Sequence, residues 1–279
     1  MSTLQEAPAP ALPAGRNSTP WTGLLAAEWT KIRSVRSTVW SLASFMVVAV
    51  GLSTLVAFVL HHNWSQPGPH PAFAQVQADP TGALFGLGFA LGQLALGVLG
   101  VLVITSEYSS GAIRSSLLAV PKRLQMLTAK AITFTLLVLV IGAVTVYAVF
   151  FISTSILSAD ISITLGQPGV LRATIGAVLY LGLVGLFSMA IGGLIRHTAG
   201  AIATVIGLML VVPIVMSFIP GTIAAHINAY LPTNAGTLIA HTAEQSGDLL
   251  SPWQGFGVFC LWVAVLLAAN GWLLVRRDA

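Results

Sequence analysis

The sequence predicts an all-α integral membrane protein: six transmembrane helices, an N-terminal amphipathic helix, and a short cytosolic helix between spans two and three. Three observations predict it. Of 279 residues, 56% are hydrophobic and 7% charged, against roughly a quarter charged in soluble domains, and the mean hydropathy is +0.90. Six apolar runs of about 20 residues or more carry no Asp, Glu, Lys or Arg, and about 20 helical residues cross a ~30 Å hydrocarbon core. The basic residues fall on alternate sides of those runs. A soluble enzyme, a disordered chain and a nucleic-acid binder are therefore excluded, the pI of about 9.6 notwithstanding. Barrel strands would be shorter and would alternate in polarity.

Residues 1–20, with Pro8, Pro10, Pro13 and Pro20, cannot bury a core and read as a disordered cytoplasmic tail. Glu6 and the missing apolar stretch argue against a signal peptide. Over 21–38, Trp21, Leu24, Leu25, Glu28, Trp29 and Ile32 share helical spacing, interleaved with Lys31, Arg33 and Arg36. Basic residues and tryptophans on a short amphipathic helix suit the lipid headgroup layer. The six-span domain occupies 21–279, with spans at about 39–60, 81–105, 131–157, 173–195, 199–219 and 256–275.

Charge sets the orientation. Eleven Lys and Arg (Arg16, Lys31, Arg33, Arg36, Arg114, Lys122, Arg123, Lys130, Arg196, Arg276, Arg277) lie on one side and only Arg172 on the other. Basic residues favour the cytoplasm, so both termini are expected there, in a cytoplasmic membrane. The outer loops are then about 61–80, 158–172 and 220–255. The first holds His61, His62 and His70, where a solvated loop is favoured over a metal site. The third is long enough for a short helix or a re-entrant piece.

Within the spans, Gly82, Gly86, Gly88 and Gly92 suit close helix packing, with packing inside one subunit favoured over a dimer seam. Gln93, the amide in mid-span two, faces either a translocation path or an interhelical hydrogen bond. Pro213 can kink span five and serve a gate. Asn270 reads as interhelical glue, and Cys260 as a small hydrophobe. No G-x-x-x-x-G-K-[ST] loop, H-E-x-x-H helix or G-x-S-x-G elbow is present, so no nucleotide, metal or catalytic site is expected on this chain.

The loop after span two runs from Glu107 through Gly111, Ile113, Arg114, Pro121 and Arg123 to Lys130. Gly111 can end a helix and Pro121 can break the next, leaving a small amphipathic helix that could pass a push from a soluble partner to the membrane. With Glu28-Trp29-x-Lys31-x-Arg33 upstream, this pattern resembles E-x-x-x-G-[TS]-x-R…P-x-x-R…K of ABC-2 type transporter permeases of actinobacterial type. Ala112 stands where Thr or Ser is common. The resemblance implies that Trp21, Trp29, Lys31, Arg33 and Arg36 belong to an interfacial connecting helix. It implies that 106–126 is a coupling helix, with Glu107, Gly111, Ile113, Arg114, Pro121 and Arg123 engaging a separate ABC ATPase subunit that carries ATP and Mg, and that a second permease subunit completes an exporter. Glu107 is expected to fix that helix through Arg114 or Arg123. The cargo is expected to be hydrophobic or amphipathic. A lipid-modifying membrane enzyme and a non-transporting scaffold are the alternatives.

Overall fold

The computed structural model describes residues 21–64, 71–111, 123–244 and 247–276, which form helices and turns and, among the described residues, no strand. Helix α1 is Trp21–Ser34, α2 is Arg36–Trp64, α3 is Pro71–Ala78, α4 is Pro80–Ser109, α5 is Arg123–Leu157 and α6 is Val170–Ile195. Helix α7 runs over Thr198–Ser217, with a π turn at Gly207–Val211. Two short helices follow, α8 at Thr222–Ala229 and α9 at Pro232–Thr237; a 3₁₀ turn continues α9 over Leu238–Ala240. Helix α10 is Pro252–Arg276.

Six of these, α2, α4, α5, α6, α7 and α10, are long and apolar enough to cross a membrane. The expected span count is thus met, but the helices overrun the apolar runs. Ordinary backbone hydrogen bonding carries a helix past the last apolar residue, so Glu107 lies inside α4 and Lys130 two turns into α5. The segment 106–126 is consequently divided: 106–109 end α4 and 123–126 open α5. Ile113, Arg114 and Pro121 lie outside the described residues, as do the tail 1–20, His70 and Arg277. The ends of α4 follow local chemistry. Asp79 accepts from the Gly82 N–H at 3.1 Å, and Pro80 occupies the first helical position, where its missing N–H costs nothing. At the other end Gly111, at φ 71°, supplies the left-handed residue that stops the helix.

Helices α4 and α6 form the centre; α2, α5, α7 and α10 surround them, and α1 packs on the start of α5. The core between them is Phe45, Leu96, Phe134, Leu181, Phe187 and Phe259, all fully buried. The outer faces of the surrounding helices expose Val47 and Phe58, Leu136 and Val140, Ile214 and Phe218, Leu261 and Val265. A soluble monomer does not carry so continuous an apolar exterior; it fits a multi-pass membrane protein.

The 220–255 region folds back into the bundle. Three glycines admit it. A Cβ on Gly236 would stand 2.5 Å from a Phe259 ring carbon and 2.8 Å from one of Tyr180. Cβ atoms on Gly176 and Gly255 would collide with the carbonyl oxygens of Ile239 and Ala235 respectively. Helix α9 is therefore wedged between α6 and α10. Thr233 on it donates to the Met209 carbonyl of α7 at 3.0 Å. Met209 lies in the π turn, which closes with the Val212 N–H on the Gly207 carbonyl just before Pro213. The short helix expected in this loop is observed twice, as α8 and α9, and α9 packs into the bundle.

Candidate functional site

Among the described residues, four charged side chains meet where α1, α4 and α5 join. Lys130 Nζ, on a side chain 2% exposed, donates to Glu28 Oε2 at 2.6 Å and to Glu107 Oε1 at 2.8 Å. Lys31 Nζ, at the rim, donates to Glu28 Oε1 at 2.9 Å and to Glu107 Oε1 at 3.1 Å. Two cations and two anions thus alternate in a neutral ring. Among the described residues, the second Glu107 oxygen, Oε2, is buried and has no hydrogen-bond partner. Burial pushes the Glu28 carboxyl up, but the charge and hydrogen bonds of Lys130 and Lys31 outweigh it and hold the group below the ordinary carboxylate value. Burial likewise pulls Lys31 down, and its bonds to Glu28 and the charge of Glu107 reverse this and hold it above the ordinary lysine value. A cavity of about 210 Å³ adjoins the ring, bordered by Lys31, Thr38, Leu99, Ser106, Glu107 and Lys130.

The ring explains how α1 is attached. Leu24, Glu28 and Ile32 are its buried residues, spaced by four so that they share one face. Trp21 and Trp29 are each 46% exposed, and Arg33 and Arg36 are exposed too. The stripe expected from spacing is thus split: its aliphatic and acidic members face the bundle, its tryptophans face outward. Glu107 pairs with Lys31 and Lys130; Arg114 lies outside the described residues, and Arg123 opens α5. Glu28 and Lys130 were not singled out as site residues. The signal for Glu28 was present: a carboxylate between Leu24 and Ile32 on an apolar face needs a cation.

The remaining expected residues sit elsewhere. Gln93 is buried, accepts from the Tyr180 hydroxyl and donates to the Ala90 carbonyl at 3.2 Å. Gly88 and Gly92 pack against α2, where a Cβ on Gly88 would meet the Ala49 carbonyl at 2.5 Å; packing within the subunit accounts for them. Asn270 is buried beside Gly193, but neither amide atom has a hydrogen-bond partner, so it touches α6 without bonding to it. The Arg196 guanidinium lies 4.9 Å from the Tyr108 ring centre.

At the other end of the bundle a second network pins the 239–242 turn that follows α9. Asp79 accepts from the Thr242 N–H at 2.7 Å and pairs with His241. Burial raises the Asp79 carboxyl, and the His241 and Thr242 bonds more than offset this, leaving it lowered. Arg172 donates to the carbonyls of His241 and Thr242 at 2.8 and 2.9 Å, and Thr81 Oγ1 donates to the Ala240 carbonyl at 2.8 Å. The lone basic residue of this end is therefore a clamp on backbone carbonyls. His61 pairs with Asp160 at 2.6 Å, and among the described residues no group of three or more His, Cys, Asp or Glu could hold a metal.

No protein-family model and no curated protein matches the chain.

Proposed function

We propose that the chain is the membrane-spanning permease subunit of an ATP-driven exporter of ABC-2 type, set in the cytoplasmic membrane with both termini inside. A separate ATPase subunit and a second permease subunit complete it, and α1 lies in the headgroup layer. The observation that carries the reading is the ring of Glu28, Lys31, Glu107 and Lys130, with Lys31 at its rim. It joins α1 to the two helices flanking 112–122, so a displacement of that stretch reaches α1, α4 and α5 through one joint whose lysines can change partners while the charges stay paired. A membrane scaffold has no need of such a joint. A membrane enzyme needs convergent acid–base groups inside the bundle, and the charged groups here neutralise each other at its edge.

Tryptophans support the membrane setting. Trp40 and Trp64 bracket α2 and Trp253 and Trp272 bracket α10. At 1.5 Å per residue these pairs are about 36 and 28 Å apart, near the thickness that aromatic belts bracket.

The test is purification of the tagged chain from native membranes, identification of an ATP-hydrolysing companion, and turnover in proteoliposomes. Glu107→Ala is expected to lower coupled ATP hydrolysis while membrane insertion persists. Coupled turnover at the wild-type rate, or purification without any ATPase, overturns the reading. Impermeant labels are expected to reach residues 61–80 from outside only.

A further inference from the structure

A chamber of about 270 Å³ lies between α4, α6 and α9 with the turn after it. It begins near Gly82 and His241 and ends at the buried Gln93–Tyr180 pair. The eleven helical steps from Gly82 to Gln93 make it roughly 16 Å long at 1.5 Å per residue. It exists because α4 presents Gly82, Gly86 and Ala90 at spacings of four, while Phe85 and Phe89 lie stacked beside them with ring centres 4.8 Å apart. A Cβ on Gly86 would meet no atom within 4 Å. Gly86 is itself exposed, so the space beside it opens outward along α4 and no neighbour in the chain packs on it. The facing wall is polar, with Thr233, Asn234, Thr237 and His241 from α9 and the turn after it. Asn234, Thr237 and His241 also border a second depression of about 510 Å³ at this end of the bundle, and the chamber is open where Gly86 is exposed.

We propose that this chamber binds a planar aromatic molecule, uncharged or singly cationic, with its ring against Phe85 and Phe89 and its polar edge toward Thr237 and Asn234. No Lys or Arg lines the chamber. The ionisable group on its wall, His241, is paired with Asp79, so an anion there would be desolvated with little countercharge, while a cation gains from the aromatic faces. Ring faces opposed to a few hydrogen-bonding groups are the ordinary makeup of a small-molecule site. The proposal deepens the transport reading, on which the identification of the bound molecule as cargo rests; the binding itself needs no ATPase.

The experiment uses the full chain in nanodiscs, with ethidium as planar monocation, fluorescein as anionic comparator, and empty nanodiscs as the background. Saturable ethidium binding is expected, with none for fluorescein. Gly86→Ala and Gly86→Leu form a graded series. Alanine in place of a mid-helix glycine should raise stability, so a packing role alone makes these variants firmer and leaves binding unchanged. Occupancy of the chamber makes ethidium bind about threefold more weakly in the first and at least tenfold more weakly in the second. Gly86→Ala, which meets no atom, keeps the test decisive if the leucine variant unfolds. Absent ethidium saturation, equal fluorescein binding, or wild-type affinity in a folded Gly86→Ala overturns the site. Chamber binding without ATP-driven movement of ethidium refutes the transport reading and leaves the site standing. ATP-driven movement indifferent to both variants does the reverse.

Discussion

Replacement of Lys130 by methionine isolates the ring. The side chain is 2% exposed and touches both carboxylates, so methionine fills its volume and removes its charge. Glu28 and Glu107 are then left sharing Lys31, which is 41% exposed. Breaking a buried ion pair by removing one partner costs about 3–5 kcal/mol. Because Lys31 stays, the low end applies, about 3 kcal/mol. The apolar attachment of α1 is smaller than it looks: Leu24 and Ile32 are its buried aliphatics, at roughly 2 kcal/mol each. The substitution therefore removes a large fraction of what holds α1 down. At 1.4 kcal/mol per factor of ten, the open population of α1 rises about 100-fold. Trypsin reads this directly, since Lys31, Arg33 and Arg36 lie at the end of α1 and its junction with α2. Cleavage there tracks the open population when reclosing is fast. Lys130→Met should be cut about 100-fold faster than wild type with the rest of the bundle intact. Glu28→Gln added to Lys130→Met restores neutrality and should recover at least tenfold. Unchanged cleavage in the single variant, or no recovery in the double, refutes the ring as the attachment.

Three other outcomes follow from the same geometry. The lowered Glu28 carboxyl contributes stability that is complete above its unfolded value of 4.5 and is lost as pH falls through the lower folded value. The raised Lys31 contributes below 10.5 and loses its part as pH rises beyond that. The mobility of a spin label on α1 should therefore be flat between these limits and rise outside them, and a step near neutral pH contradicts the assignment. Thr233→Val leaves the Met209 carbonyl without its side-chain donor and should destabilise by about 1–2 kcal/mol. Thermal unfolding checks this, and an unchanged midpoint refutes the bond. Arg172→Met removes donors to three carbonyls, and amide exchange at 238–244 should speed up by tenfold or more, with the α2 amides unaffected.

The six long helices were legible because lipid imposes one requirement, about twenty apolar residues per crossing, and the sequence meets it six times. Their ends were not. Helix α5 starts at Arg123, well before its apolar run, because backbone bonding and not hydropathy decides where a helix begins. Gly111 was readable as a helix stop, since a left-handed residue after α4 favours glycine. The ring was half readable. Glu28 on an apolar face signalled a buried partner, but nothing in one dimension says that the partner is Lys130, 102 positions away. The Thr233–Met209 bond was hidden in the same way: the two residues lie 24 positions apart, and only the fold brings them together.

The two ends of the bundle are fastened by different chemistry, and the difference has mechanical meaning. At the α1 end the fastening is side chain to side chain, four charges that neutralise one another, with one Glu107 oxygen left over. Such a ring can exchange partners without breaking secondary structure, because each lysine carries three donors that rotate on a long stem. At the other end Arg172 and Asp79 hold backbone groups of the 239–242 turn, so yielding there requires the backbone of that turn itself to move. Motion applied near Glu107 should therefore be accommodated first by repartnering around its unsatisfied oxygen, while the wall of the chamber formed by α9 stays in place. Spin labels on α1 and α5 should show several distances at the ring, and labels on α9 and α6 a single one; multiple distances across the chamber with a single one at the ring would reverse the order of compliance.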